Sequence, residues 1–354
     1  MLRNTLGVDR GDYVCPMTGV KLQYDGTRLG AVGDGPSYEV RKGVPQFLRF
    51  ENVAGEEEKR AHARLNQIAV DEGWRKAIDE VYAHAPYQIR YNTAPERLAV
   101  LNLLPLTGES VVLEIGSALG HFTVELAKRA KAVHALEVVP GQAEFTAERC
   151  RQEGRDNVAV ACGGDDCRLP YASDLFDFVL INLVFEWCAC RIDGEPFLDG
   201  QRRMLAEIHR VLKPGGRALL TTKNRFALNY IMGKPDEHVY GMRFGNALPR
   251  WLTRALLRRR GKARVMGLLH SHNRLRDLLR EAGFADLRSF WAAPEMRFPS
   301  RYVPTDAASI RAARRDPDFA QGFSRSTKLL TPLIPSPLVK HFTPGLLFVV
   351  QKPT

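Results

Sequence analysis

LEIGSALGHFT, residues 113–123, runs from apolar residues of strand character into a glycine-containing turn and out into a helix. In doubly wound α/β folds that order makes a nucleotide-cofactor loop, because the helix start offers free N–H groups and the glycines let the backbone approach the ligand. The spacing here is Gly116, Ala118, Gly120, so an alanine stands where such loops usually carry a middle glycine. If position 118 needs a positive φ, alanine costs about 1 kcal/mol or more. If it needs only a small side chain, alanine is nearly neutral, and the flanking residues favour this second case.

Outward from the loop, short apolar strands alternate with helical patterns. VVLEI (111–115) precedes a helix from Phe122; AVHALEV (132–138) precedes the helix GQAEFTAERCRQEG; VAVAC (158–162) and FDFVLIN (176–182) follow. Next come the helix FLDGQRRMLAEIHRVL, a KPGG turn and the strand RALLTTK (217–223). This succession predicts a mostly parallel sheet covered on both faces. Two later strands, near FADLRSFW (284–291) and GLLFVVQK (345–352), bring the sheet to seven, with an irregular Pro-rich stretch between them. The segment from about 225 to 270 reads as a helical insertion after the fifth strand. Beyond it lies the helix SHNRLRDLLREAGF, with Ser271 as N-cap and Gly283 as its stop.

Upstream, residues 13–50 alternate β-like pieces with turn signals, a small β-rich module. From Glu56 to about Ala85 the pattern is helical, divided near Gly73 and closed by Pro86, and a further helix is expected from Pro95. The expected organisation is a β-rich module over 1–52, a helical linker over 53–94 and a large α/β domain over 95–354.

The longest apolar candidate for a membrane span, FDFVLINLVFEWCAC, is interrupted by Asp177, Asn182 and Glu186. The start, MLRNTLGVDRGDYVCP, lacks the apolar core of a secretory signal, which predicts a cytoplasmic location. Cysteines at 15, 150, 162, 167, 188 and 190 form no CxxC pair and read as reduced, mostly buried thiols. The formal charge of +11 is concentrated: Arg250–Arg280 holds ten Lys and Arg against Asp277 alone. Within PRWLTRALLRRR, a helix would put Arg250, Arg254 and Arg258 on one stripe and Leu252, Ala255 and Leu256 on another. Such a stripe suits an anionic membrane surface, nucleic-acid phosphates, or a solvated face.

Ligands of a doubly wound sheet bind beyond the carboxyl ends of its strands, so the residues there are the candidates. Glu114 and Gly116 close the first strand, Gly120 opens the helix, and Glu137 closes the second strand 21 residues after Gly116. Asp165 and Asp166 follow the third strand and Asn182 ends the fourth. An acidic residue at the end of the second strand can accept from both hydroxyls of a ribose, each charge-assisted bond being worth roughly 1.5–3 kcal/mol. The loop leaves no obvious room for a phosphate, which favours S-adenosylmethionine over a dinucleotide.

LEIGSALG, the acidic end of HALEVV, GGDDCRLPYASDLFDFVLIN and HRVLKPGGRALLTTKN, in this order, resemble the class I S-adenosylmethionine-dependent methyltransferases across about residues 95–352. The resemblance implies a Rossmann-like methyltransferase fold and S-adenosyl-L-methionine as cofactor. It implies that Glu114, Gly116 and Gly120, with Ala118 between, cradle the amino-acid end, and that Glu137 holds the ribose. Val138 would lie against the adenine ring, Asp165 would bind the adenine amino group, and Asn182 would lie near the methyl-transfer centre.

YNTAPERLAVL, LVFEWC, KNRFALNYIMGKPDEHVYG and LLREAGFADLRSFWAAPEMRFPSRYVP are similar to segments of methyltransferases of bacterial surface-polysaccharide synthesis. That likeness keeps Asn224, Arg225, Gly233 and His238, but reads Pro235-Asp236-Glu237 before the histidine. It implies His238 and Glu186 as candidate general bases near the cofactor's open side, with Tyr91 and Arg97 closing over the cofactor or simply packing. The N-terminal CPMTGVKLQYDG…SYEVRKGVPQFL is similar to the small zinc-ribbon-derived module that accompanies tRNA and ribosomal RNA methyltransferases. Its lone Cys15 cannot form a tetrahedral zinc site, so no metal is expected.

The expected activity is methyl transfer to a cell-envelope glycan, a lipid-linked sugar or a related small molecule, with peripheral contact to an anionic membrane surface through 250–280. An RNA methyltransferase is the alternative. Asn182-Leu183-Val184-Phe185 lacks the Pro-Pro-aromatic signature of enzymes that methylate exocyclic base amines. A non-catalytic binding protein on the same fold is the third reading.

Overall fold

The computed structural model describes residues 13–32, 35–50, 55–190, 195–262 and 264–354. The expectations for the first twelve residues and for 51–54 lie outside the described residues. The chain divides into two compact units, one of Met1–Ile181, Arg203–Ala218 and Lys352–Thr354, the other of Asn182–Arg202 and Leu219–Gln351.

The first unit opens with β1 (Leu22–Tyr24), β2 (Arg28–Ala31), β3 (Ser37–Arg41) and β4 (Val44–Pro45), a four-stranded antiparallel sheet in sequence order. The β1–β2 turn is closed by Asp25, whose Oδ1 accepts from the N–H groups of Thr27 and Arg28 at 2.8 Å each. Three observations fix this small sheet on the rest of its unit. Gln46 bridges Cys162 in parallel, Phe47 N donates to Cys162 O at 2.7 Å, and Tyr13 packs its ring against Phe47 and Tyr171 at 5.4 and 5.6 Å.

Helices α1 (Glu56–Glu72) and α2 (Trp74–Val81) are divided by Gly73 at φ 101°, and α3 (Pro86–Thr93) starts on Pro86. The helix expected from Pro95 is present as a 3₁₀ helix running to Leu103. Then follow β5 (Val111–Ile115), α4 (His121–Arg129), β6 (Ala132–Glu137), α5 (Pro140–Gln152), β7 (Val158–Cys162) and β8 (Phe176–Asn182). β5 pairs in parallel with β8 and β6, and β6 with β7. All five residues of β7 are buried, as befits a parallel strand covered on both faces. Arg149 of α5 is buried, donates to Asn92 O and Leu119 O, and lays its guanidinium 3.9 Å from the Trp74 ring, joining α5 to the preceding helices.

α6 (Phe197–Val211) leads without a turn into β9 (Leu212–Lys223). The expected KPGG turn is instead the start of that strand. Lys213 pairs with Asp177 at 2.8 Å, and Gly215 N and Gly216 O exchange hydrogen bonds with the backbone of Lys352.

The second unit contains α7 (Leu228–Ile231), a 3₁₀ turn at Glu237–Val239, α8 (Arg250–Arg259), α9 (His272–Glu281), β10 (Ala285–Ala293), β11 (Arg301–Pro304), α10 (Ala307–Arg315), α11 (Arg325–Leu330) and β12 (Gly345–Gln351). β10 pairs antiparallel with both β11 and β12. Trp291, Val303, Ile310, Phe319, Phe323 and Val339 form its core cluster. The large sheet has eight strands, one more than expected. The additional strand is β11, within the stretch read as irregular.

The register of α8 also differs from the expectation. Thr253 and Leu257 face inward, and Thr253 Oγ1 donates to Gly245 O at 2.8 Å. Arg250 is half-buried and donates to Leu269 O, so the exposed cations are Arg254, Arg258, Arg259 and Arg260 rather than a stripe beginning at Arg250.

Candidate active site

In the first unit the loop after β5 is tied to the end of β6. Gly116 N and Ser117 N both donate to Leu136 O, at 2.7 and 3.2 Å, and Ala118 N donates to Glu137 Oε2 at 2.8 Å. Gly120 sits at φ 72°, where a Cβ would meet Thr146 Cγ2 at 3.1 Å, so both backbone and space require glycine. Ala118 lies at φ 47°. This corrects the expectation that position 118 needs only a small side chain: the alanine is held in the left-handed region by its N–H on Glu137 and its carbonyl on Thr146 Oγ1 at 2.8 Å. Ala118→Gly should therefore raise unfolding stability by about 0.5–1 kcal/mol in urea. Its effect on cofactor affinity should stay below that of Glu137→Ala.

Three acidic residues line up along this edge. Glu114 is buried and accepts from Thr123 Oγ1 at 2.6 Å; burial pushes its carboxyl up to about 8, against the opposing pull of that hydrogen bond. Glu137, also buried, accepts on Oε1 from Val138 N and Val139 N and on Oε2 from Ala118 N. A carboxylate offers about four lone-pair directions, and three backbone N–H groups engage most of them, which fixes the Glu137 carboxylate at the carboxyl end of β6. Asp165 accepts on Oδ2 from Arg49 N at 2.9 Å and Phe50 N at 2.8 Å, while its Oδ1 is buried and without a partner. An orphaned buried carboxylate oxygen demands a donor, and an exocyclic amino group supplies one. Strand register links the three acids: Glu114 pairs Ala135, Glu137 pairs Cys162, and Asp165 stands three residues on. Val138, partly exposed, follows directly on Glu137.

Arg97 is buried with its guanidinium 3.5 Å from the Tyr91 ring and 5.2 Å from Phe122, and it donates to Tyr91 O. Tyr91 and Arg97 thus pack on each other.

The remaining candidates belong to the second unit. Asn182 Oδ1 accepts from Thr221 Oγ1 at 2.6 Å, and Leu183 N donates to the same Thr221. Glu186 lies in a 3₁₀ turn at 1% exposure, its Oε2 without a partner, and burial pushes its carboxyl above the ordinary range. His238 is fully buried against Trp187, ring centroids 4.3 Å apart, with Nδ1 2.8 Å from Asp236 Oδ1 and Nε2 unpartnered. Gly267 brings these two segments together. Its neighbours Met266 N and Leu268 N donate to His238 O and Glu186 O, and a Cβ at 267 would sit 2.5 Å from His238 Cδ2 and 2.8 Å from Glu186 O.

Sequence reasoning missed the groups that hold His238. Asp236 accepts from its backbone and ring, from Tyr230 Oη at 2.5 Å and from Lys223 Nζ at 3.2 Å; Lys223 also pairs with Glu237, as does Arg297. The donor atoms of Asp236, Glu237 and His238 lie within 4.8 Å of one another, but the Lys223 ammonium already supplies the cation for both carboxylates. Of the residues kept from the polysaccharide resemblance, Asn224 donates to His341 O and Thr343 O, and Arg225 to Asn246 O and Leu248 O. Both tie loops within the unit.

Residues 113–220 match the family described as a methyltransferase domain. Among curated relatives, the biotin biosynthesis bifunctional protein BioHC of Cellvibrio japonicus is 38% identical over 111 residues, 31% of this chain and 19% of that protein. Protein-L-isoaspartate O-methyltransferase 2 of Syntrophobacter fumaroxidans is 30% identical over 155 residues, 43% of this chain and 56% of that protein. The chain thus spans about a fifth of one relative and about half of the other. A solved Haemonchus contortus phosphoethanolamine N-methyltransferase 2, in complex with S-adenosyl-L-methionine, aligns at 16% identity and TM-score 0.45, over 88% of this chain and 62% of that one. By the family match over 113–220 and the loop, strand ends and parallel sheet that these residues form, the chain carries a class I S-adenosylmethionine-dependent methyltransferase domain.

Proposed function

We propose that this protein transfers a methyl group from S-adenosylmethionine to a small-molecule acceptor of the cell envelope, a glycan or a lipid-linked sugar. The observation that carries the cofactor half is the buried, unpartnered Oδ1 of Asp165, three residues beyond the carboxyl end of β7. Glu114, Gly116, Ala118 and Gly120 would receive the amino-acid end, Glu137 one ribose hydroxyl, and Asp165 the adenine amino group. When bound, the cofactor supplies an electrophilic methyl on sulfur. This chain's residues have to bind, align and exclude water, and orientation is worth roughly 7–11 kcal/mol in favourable cases.

For a hydroxyl acceptor a base is also required. His238 Nδ1 is engaged by Asp236, which leaves Nε2 as the ring atom that can take a proton. Two relatives, the isoaspartate enzyme and the malonyl-[acyl-carrier protein] O-methyltransferase of Methylococcus capsulatus, are named O-methyltransferases, which supports an oxygen acceptor.

Contact with a membrane surface rests on α8. Trp251 is 71% exposed beside Arg254, Arg258, Arg259 and Arg260. A bare indole among arginines suits the headgroup layer of an anionic bilayer better than a phosphate backbone alone. The basic surface is narrower than 250–280, since Arg274 and Arg276 are paired with Glu281 and Asp277. No helix among the described residues is long and apolar enough to cross a membrane.

Calorimetry with S-adenosylhomocysteine and flotation with phosphatidylglycerol vesicles test the two parts. Micromolar binding and co-flotation, reduced by Trp251→Ala, are expected. No binding at about millimolar ligand, a free energy of only some 4 kcal/mol, overturns the transferase reading. Retention on RNA with no flotation overturns the membrane reading.

A further inference from the structure

The second unit carries an open cavity of about 630 Å³, the size of a small-ligand site. Leu183, directly after β8, and Lys223, the last residue of β9, stand on its wall, so it opens at carboxyl ends of strands, where ligands of open α/β sheets bind. Leu228, Met232, Trp291, Met296 and Phe342 give it an apolar lining.

The charges on the wall divide into two sets. Lys223, Asp236, Glu237 and Arg297 are bound to one another and compensate internally. Lys234, Arg243 and Glu295 have no ion-pair partner among the described residues, which leaves two cations against one carboxylate. Lys234 and Arg243 are exposed. Their backbone settings fix where they stand: Lys234 N donates to Asn229 O at 2.8 Å, and Arg243 Nε donates to Gly233 O at 3.1 Å, leaving both terminal nitrogens of the guanidinium for a ligand.

We infer that this cavity is the acceptor site and that the acceptor is a small amphipathic anion. Its carboxylate or phosphate is held by Lys234 and Arg243, and its apolar body lies against the partly buried Leu228, Met296 and Phe342. A guanidinium and an ammonium together favour an anionic head over a neutral one through charge-assisted hydrogen bonds. The inference rests on the methyl-transfer reading and narrows its acceptor to acids.

The test uses the full chain and four eight-carbon probes: octanoate, octyl phosphate, octanol and octylamine, titrated calorimetrically with S-adenosylhomocysteine affinity measured in parallel. Octanoate and octyl phosphate are expected to bind about tenfold or more tighter than octanol and octylamine, and the difference between the two acids distinguishes carboxylate from phosphate. The exposed double variant Lys234→Glu/Arg243→Glu should lose that preference and gain octylamine binding, with cooperative unfolding retained, a melting temperature lowered only by loss of the Arg243–Gly233 hydrogen bond, and S-adenosylhomocysteine affinity unchanged. Equal binding of all four probes, binding of none, or an acid preference that survives charge reversal overturns the anion inference while leaving cofactor binding intact. Loss of S-adenosylhomocysteine binding in the unaltered protein overturns the methyl-transfer reading instead.

Discussion

Glu137→Ala is expected to abolish tight binding of S-adenosylhomocysteine and to lower stability by about 3 kcal/mol. The carboxylate accepts three backbone N–H groups, from Ala118, Val138 and Val139. A buried donor left without its acceptor costs about 1–3 kcal/mol, and relaxation of the loop recovers part of the sum. The loss of affinity has two sources: the ribose bond itself, worth tenfold or so, and the release of Ala118 from the position in which Glu137 holds it. Glu137→Gln separates them. It keeps one acceptor oxygen but turns an NH₂ toward a backbone N–H, so it should fall between the native protein and the alanine variant in both readouts. Urea unfolding and calorimetry measure the pair. An alanine variant with affinity within twofold of native would remove Glu137 from the ribose.

The same residue marks how far the sequence could be read. Strands β5 to β8 are apolar runs bounded by turn residues, and the acids at their ends stand at fixed intervals from Gly116, so sheet and acids were both legible. What those acids do with their oxygens was not. Asp165 is met by the N–H groups of Arg49 and Phe50, more than 110 residues earlier in the chain, and backbone donors leave no trace in residue type. The left-handed conformation of Ala118 was open because alanine is compatible with either case; a glycine there would have signalled it. β11 went unseen because RYVP is short and ends on proline, which is confined to strand edges and ends. In α8 the polar Thr253 takes a buried position by donating to Gly245 O, and a helix read by hydrophobicity alone is then placed one residue off. Asp236 could have been found: it precedes His238 by two residues, the reach of an aspartate that caps a turn and binds the ring of the residue it caps.

Asp236→Ala should cost about 3 kcal/mol or more and change the acid limb of stability. The carboxylate is 3% exposed and serves His238, Tyr230 and Lys223 together, and removing one member of a buried ionic set leaves the others uncompensated, typically at about 3–5 kcal/mol. Lys223 keeps Glu237, which places the expected cost at the lower end. Burial by itself would raise the Asp236 carboxyl, but the hydrogen bond and charge of His238, with Lys223 and Tyr230, outweigh it and hold the group well below the usual carboxylate range. A carboxyl depressed on folding stabilises the protein at every pH above its unfolded value of about 3.9, and that contribution fades as pH falls below it. The native protein should therefore lose stability steeply below about pH 4, and Asp236→Asn should flatten that limb while staying folded near neutrality. A merely packed aspartate would leave the limb unchanged. The asparagine variant also isolates the proton route: with Nδ1 of His238 no longer held by a carboxylate, an enzyme that uses Nε2 as its base should show a lower kcat and a shifted pH profile at unchanged S-adenosylhomocysteine affinity, whereas one that only aligns its acceptor should show neither.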